Sequence, residues 1–197
     1  MRKVGVPGSD VVLIGLMASG KTTIGRLLAA RLGVPFVDND DALVQRIGRT
    51  AREVDAAEGI DALHRAEARV LAAALAEPGC KVVAAAAAAV LEPGVAGLLA
   101  DRTVVYLRAG ARELARRVAA GRVERGGDHR PFAGQDPAVV LREQLDARDG
   151  AYRKLASMVV DTGTAAPETV AAAISSALAG PAPRTTPAPR SAAPGTP

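Results

Sequence analysis

Five short apolar runs alternate along the chain with longer segments whose apolar positions recur every three or four residues. The runs lie at 11–14 (Val-Val-Leu-Ile), 34–37, 81–85, 103–107 and 158–161. Each is bounded by turn residues, as expected of strands buried on both faces. Helical spacing predicts helices over 22–32, 42–47, 52–57, 61–76, 93–100, 111–120, 137–155 and 167–178. Gly33, Gly48, Gly59 and the pair Pro78-Gly79 supply the stops. Strands that alternate with helices predict an α/β domain, with a central five-stranded parallel sheet covered by helices on both faces.

Both ends fall outside that rhythm. Residues 181–197 hold six of the 13 prolines and little apolar bulk, so they read as a disordered tail. Residues 1–10 read as a flexible N-terminus, which leaves 11–180 as the single domain. The chain has a formal net charge of +4, which invites a nucleic-acid reading. Arg184 and Arg190 place two of those charges in the tail, however, and Arg2 and Lys3 against Asp10 add a third at the other end. The near-neutral remainder offers no footprint for a phosphate backbone. With only Phe36, Tyr106, Phe132 and Tyr152 as aromatics, base stacking is also disfavoured. The lone Cys80 excludes a disulfide framework. The longest apolar run, 82–91, is too short to span a bilayer, and residues 7–10 break any signal-peptide core. The expectation is a cytoplasmic monomer that engages a small molecule, with no nucleic-acid or membrane partner.

One segment carries chemistry outright. Gly15-Leu16-Met17-Ala18-Ser19-Gly20-Lys21-Thr22 satisfies G-x-x-x-x-G-K-[ST], with a strand leading in and a helix leading out. Its glycines let successive N–H groups turn inward at a helix N-terminus, forming an anion nest. Lys21 would reach the β- and γ-phosphates and Thr22 would bind Mg²⁺. The cradle serves GTPases, motor ATPases and small-molecule kinases alike. No guanine-reading N-K-x-D segment occurs, nor a late apolar strand ending in Asp-Glu. The second strand ends instead in Asp38-Asn39-Asp40, which favours a small-molecule kinase. Read as extended backbone, Asp38 and Asp40 would point to opposite sides, one to metal and one to substrate.

Over residues 11–178 the chain resembles the shikimate kinase family. The resemblance rests on Ile14 to Gly25 (IGLMASGKTTIG), Asp38-Asn39-Asp40, Arg130-Pro131 in a glycine-rich stretch, and Arg148 to Arg153 (RDGAYR). It implies a P-loop NTPase-type three-layer fold with a mobile lid at about 121–134. It also implies transfer of phosphate from Mg-ATP to a hydroxyl of a small carboxylated ring, shikimate first, as a step of aromatic amino-acid biosynthesis. Nucleotide contacts would come from Gly15, Ala18, Ser19, Gly20, Lys21, Thr22 and Thr23, with Arg117 packed against adenine. Asp38 would help Thr22 hold Mg²⁺, Asp40 would orient the acceptor hydroxyl or take its proton, and Arg130 would neutralise phosphoryl charge. Gly121, Gly126, Gly127 and Gly134 would give the lid its hinge freedom.

The acceptor half departs from the family pattern. His64, beside Arg65, stands where the family has a carboxylate-binding arginine, although the second such arginine is present as Arg148. A Gly-Gly-Gly after the third strand is Ala86-Ala87-Ala88, with Ala87 at its centre facing the acceptor. Asp55 and Leu63 replace pocket phenylalanines, and Ile60 replaces a glutamate. Three added methyls crowd a place where glycine would allow close approach and positive φ, and imidazole cannot reproduce a bidentate guanidinium. Two alternatives therefore stay open: a related kinase for another polyol or cyclitol, and a non-catalytic nucleotide-binding protein.

Overall fold

The computed structural model describes residues 9–121, 132 and 135–180. The N-terminal segment before Ser9, Arg130 with nearly all of the expected lid, and the tail from 181 lie outside the described residues.

Five strands, β1 (Val11–Ile14), β2 (Phe36–Asp38), β3 (Val82–Ala84), β4 (Thr103–Arg108) and β5 (Met158–Asp161), form one sheet in the order β2-β3-β1-β4-β5. Every pairing is parallel. The helices are α1 (Lys21–Leu32), α2 (Asn39–Ile47), α3 (Ala51–Glu58), α4 (Ile60–Ala76), α5 (Val95–Leu99), α6 (Ala111–Ala119), α7 (Pro137–Leu155) and α8 (Pro167–Ala179). A 3-10 turn at Ala89–Leu91, which the periodicity does not predict, precedes α5.

The strand alternation divides the core. Val11 and Leu13 face α1 and α8, packing with Ile24, Leu28, Val170 and Ile174. Val12 and Ile14 face the opposite layer, with Leu71 and Leu75 of α4, Leu114 of α6, and Leu141 and Tyr152 of α7. A smaller core under α2, α3 and α4 joins Leu43, Val54, Leu63 and Val70. At Gly25 an added Cβ would meet the Phe36 ring at 2.4 Å, so α1 lies as close to β2 as a missing side chain allows.

In this order β1 leads through α1 to β2 on one side, whereas β3 leads through α5 to β4 on the other. The connections diverge between β1 and β3, and a parallel sheet opens a crevice at such a point beyond its carboxyl ends. The glycine-rich loop follows β1, Asp38 ends β2, and residues 85–88 follow β3. The fold thus delivers all three to one edge. Among the described residues no helix is long and apolar enough to cross a membrane.

Candidate active site

The loop from Gly15 to Gly20 is built from backbone that side chains resist. Gly15 has φ +146° and Gly20 has φ +98°. A Cβ on Gly15 would lie 2.4 Å from the Leu107 carbonyl oxygen and 2.9 Å from Ser19 Oγ. Ala18 takes φ +59°, the one non-glycine residue with positive φ among those described. Such strain costs about 1–3 kcal/mol and persists where surroundings over-determine it. Here they do: Arg117 Nη1 donates to the Ala18 carbonyl at 3.1 Å, and Thr162 Oγ1 donates to the Ser19 carbonyl at 3.1 Å. Lys21 Nζ lies across the loop, donating to the Gly15 and Leu16 carbonyls, each at 3.0 Å. Thr23 follows, exposed, in the first turn of α1.

Arg117 is itself held. Its Nε donates to Glu113 Oε1 at 2.8 Å and its Nη2 to the Thr162 carbonyl. A hydrogen bond from Arg116 holds the Glu113 carboxyl down at about 2, outweighing desolvation, and the bond from Arg117 adds to the effect. Glu113 therefore stays ionised at any pH where the protein works. Arg117 thus ties α6, the glycine-rich loop and the end of β5 together.

The acidic pair departs from the extended reading. Asp38 ends β2 as the N-cap of α2, while Asn39 and Asp40 already belong to the helix. Asp38 Oδ1 accepts the Asp40 N–H at 3.0 Å, and Oδ2 accepts the Thr22 hydroxyl at 2.8 Å. A carboxylate in the N-cap position satisfies one orphan N–H of the helix and complements its dipole. One capping carboxylate therefore binds the nucleotide loop with one oxygen and aims Asp40 with the other. Thr22 and Asp38 offer a hydroxyl and a carboxylate oxygen side by side. That hard-oxygen donor set suits Mg²⁺, which keeps several waters and takes phosphate oxygens for the rest.

Asn39 is buried, and its Nδ2 donates to the Glu67 carbonyl at 3.3 Å. This ties the Asp38–Asp40 corner to α4, one turn from His64. Because α4 precedes β3 in a parallel sheet, its N-terminal turns lie toward the carboxyl edge, and His64 lies nearer that edge than Glu67. Glu67 is 1 % exposed. The sequence reading passed over it, although its i, i+3 spacing from His64 put both on one helix face.

On the far wall, Tyr152 Oη of α7 donates to the Ala87 carbonyl at 2.6 Å. Arg148, four residues earlier, lies on the same helix face and about 6 Å further toward the carboxyl edge. Its Nη1 is buried and has no hydrogen-bond partner. The alanine segment costs less than the sequence suggests. None of Ala86, Ala87 and Ala88 has positive φ, so the missing glycines leave no backbone strain. Ala86 and Ala88 are buried, and only Ala87 is partly exposed. Three expected obstructions reduce to one.

The structure thus brings Lys21, Thr22, Asp38 and Asp40 to one edge, with His64 and Arg148 on helices that converge there. The expected Arg130 lies outside the described residues. Known proteins resemble this chain as a whole. The family model for shikimate kinase matches residues 17–179. A shikimate kinase of Mycobacterium marinum is 40% identical over 177 residues, 89% of this chain and 92% of that protein. One from Mycobacterium avium is 44% identical over 168 residues, 85% of this chain and 92% of that protein. The solved shikimate kinase of Acinetobacter baumannii in complex with shikimate superposes with a TM-score of 0.75 at 28% identity, covering 84% of this chain and 90% of that one. Matched by the family model over most of its length and by relatives over nearly all of theirs, this chain belongs to the shikimate kinase family, small-molecule kinases that pass phosphate from ATP to an alcohol.

Proposed function

We propose that this chain transfers the γ-phosphoryl group of ATP to a ring hydroxyl of shikimate. The observation that carries the acceptor is Arg148, whose buried Nη1 lacks a hydrogen-bond partner at the crevice edge. A buried guanidinium N–H left unsatisfied is costly, and a carboxylate is the partner that best offsets it. An uncharged polyol gives no such return.

Phosphoryl transfer asks the protein mainly for positioning and charge. Lys21 leaves its loop carbonyls for the β- and γ-phosphate oxygens, while the inward N–H groups of residues 15–20 hold the rest of the chain of phosphates. Thr22 and Asp38 would hold Mg²⁺, which neutralises phosphate charge when bound. Asp40, aimed by the Asp38 cap, accepts a hydrogen bond from the acceptor hydroxyl and takes its proton as attack proceeds. Arg117 borders the base through its hold on Ala18 and Thr162, and Arg130 is assigned from the sequence alone to the phosphoryl oxygens. His64 and Arg148 engage the ring carboxylate, and Ala87 supplies the surface beneath the ring.

The test is coupled ADP release with Mg-ATP and shikimate, quinate or a neutral cyclitol. Shikimate should stimulate ADP release well above the other two. Stimulation by a neutral ring alone would overturn the carboxylate reading, and no stimulation by any acceptor would overturn the kinase reading.

His64 gives a second, graded test. A charge-assisted contact is worth about 1.5–3 kcal/mol, and an arginine at this position adds a second fork for the carboxylate. His64→Arg should therefore lower KM for shikimate about tenfold, with KM for ATP unchanged. A higher acceptor KM in steady-state assays would show that His64 is fitted to a different group.

A further inference from the structure

Three successive functional positions on α7 do different work. Arg148 lies nearest the carboxyl edge, Asp149 fastens the helix to the sheet, and Tyr152 reaches the loop after β3. Asp149 Oδ1 accepts Tyr106 Oη at 2.9 Å and Arg108 Nε at 2.9 Å, both from β4. Its Oδ2 accepts Arg153 Nε at 2.6 Å. Burial would raise this carboxyl, but the bonds from Arg153, Arg108 and Tyr106 together hold it below the usual range. The position of α7 against β4 is fixed by this bolt, in which the Arg108 ion pair holds Asp149 even without the Tyr106 phenol.

Tyr152 is 0 % exposed, and its ring lies 5.1 Å from that of Tyr106 at 58°. Packing thus fixes where its phenol points, and the phenol ends on the Ala87 carbonyl. That loop needs an outside anchor. It leaves β3 at Ala85, whose N–H still bonds Leu13, and next gains order at the 3-10 turn closed by Leu91 N–H on the Ala88 carbonyl. A trans peptide is planar, with its C=O and N–H on opposite sides. Holding the Ala87 carbonyl toward α7 therefore turns the Ala88 N–H away from it and settles the tilt of the peptide that follows Ala87, the one of the three alanines left partly exposed.

We propose that Tyr152 is a positioning residue for the phosphate acceptor, locking residues 86–88 to the same helix that presents Arg148. The assignment rests on the acceptor reading given above. One rigid helix then sets both the surface under the ring and the cation at its carboxylate. With alanines in place of glycines, the loop has fewer accessible backbone conformations. A peptide tilted wrongly would place a methyl, rather than a small void, against the ring.

The test compares Tyr152→Phe with Tyr106→Phe in the full chain, each removing one phenol oxygen from adjacent buried rings. Tyr152→Phe should raise KM for shikimate about tenfold, equivalent to about 1.4 kcal/mol, with KM for ATP within about twofold. Amide hydrogen exchange read by mass spectrometry should quicken at residues 86–89 in Tyr152→Phe and not in Tyr106→Phe. Equal quickening in both variants, or an unchanged loop and acceptor KM in Tyr152→Phe, would make the tyrosine an ordinary core residue and overturn the proposal. The exchange comparison needs no substrate. If wild-type protein proves inactive with shikimate, the substrate reading fails while the anchoring of the loop is still decided.

Discussion

Replacing Lys21 with alanine should lower kcat by about 10³-fold, at the upper end of what one lost donor to developing charge costs. The loop geometry explains the size. Nζ is held over the cradle by the Gly15 and Leu16 carbonyls, each at 3.0 Å, so the ammonium is already at the loop mouth when a phosphate arrives. Exchanging those two carbonyls for phosphate oxygens leaves a charged donor aimed at the charge that develops in transfer. The fold should tolerate the change. Two hydrogen bonds to partly buried carbonyls are worth about 1 kcal/mol each, a loss that leaves a domain of this size folded at 25 °C. Lys21→Arg should fare little better, because a planar fork cannot make the two convergent contacts of a compact ammonium. Steady-state kcat beside thermal unfolding separates these effects. A kcat within tenfold of wild type, in a variant that still melts cooperatively, would remove Lys21 from the reacting phosphate.

Gly15→Ala should act first on stability and through it on nucleotide binding. Two penalties coincide at this position. A φ of +146° is a region that side chains rarely adopt. The new Cβ would also sit 2.4 Å from the Leu107 carbonyl, which belongs to the interior strand β4 and cannot swing aside as a flexible side chain could. Strain of about 1–3 kcal/mol from each source gives a Tm lower by roughly 5–20 °C at about 2–4 °C per kcal/mol. Ser19 Oγ, 2.9 Å from the same point, would be displaced as well, so surviving protein should bind ATP weakly. Differential scanning calorimetry and nucleotide titration read the two parts separately. An unchanged Tm would mean that the loop relaxes freely and is not held by β4.

Much of this architecture was legible in the residue pattern. All five strands and the eight helices described fall where the periodicity puts them. Strands β1, β3 and β4, buried on both faces, leave uninterrupted apolar runs, whereas the edge strand β5 alternates with exposed positions such as Val159. The nucleotide cradle was legible because its demands are local: glycines for backbone shape, a lysine and a threonine at fixed offsets. The acceptor side was less so. Asp38 and Asp40 read as an extended pair, whereas the start of α2 makes one the cap and the other a first-turn residue. A helix N-terminus recruits a carboxylate through dipole and orphan N–H, which strand alternation does not reveal. Glu67, Thr162 and Tyr152 escaped for a different reason. Their partners lie 28 residues away for the Glu67 carbonyl, 143 for Thr162 and 65 for Tyr152, so only folding brings them together.

The alanines show the division most clearly. By itself the sequence determined that residues 86–88 carry three methyls and that Arg148 supplies a cation. It also determined strand β1 and the glycine-rich turn and helix after it, since these follow from short-range backbone geometry. Only the tertiary structure decided what the methyls cost. It keeps φ negative at all three, buries two of them in the core, and hangs the third from Tyr152. Backbone conformation and burial at a loop depend on what packs behind it, and here that is a helix more than sixty residues further along the chain.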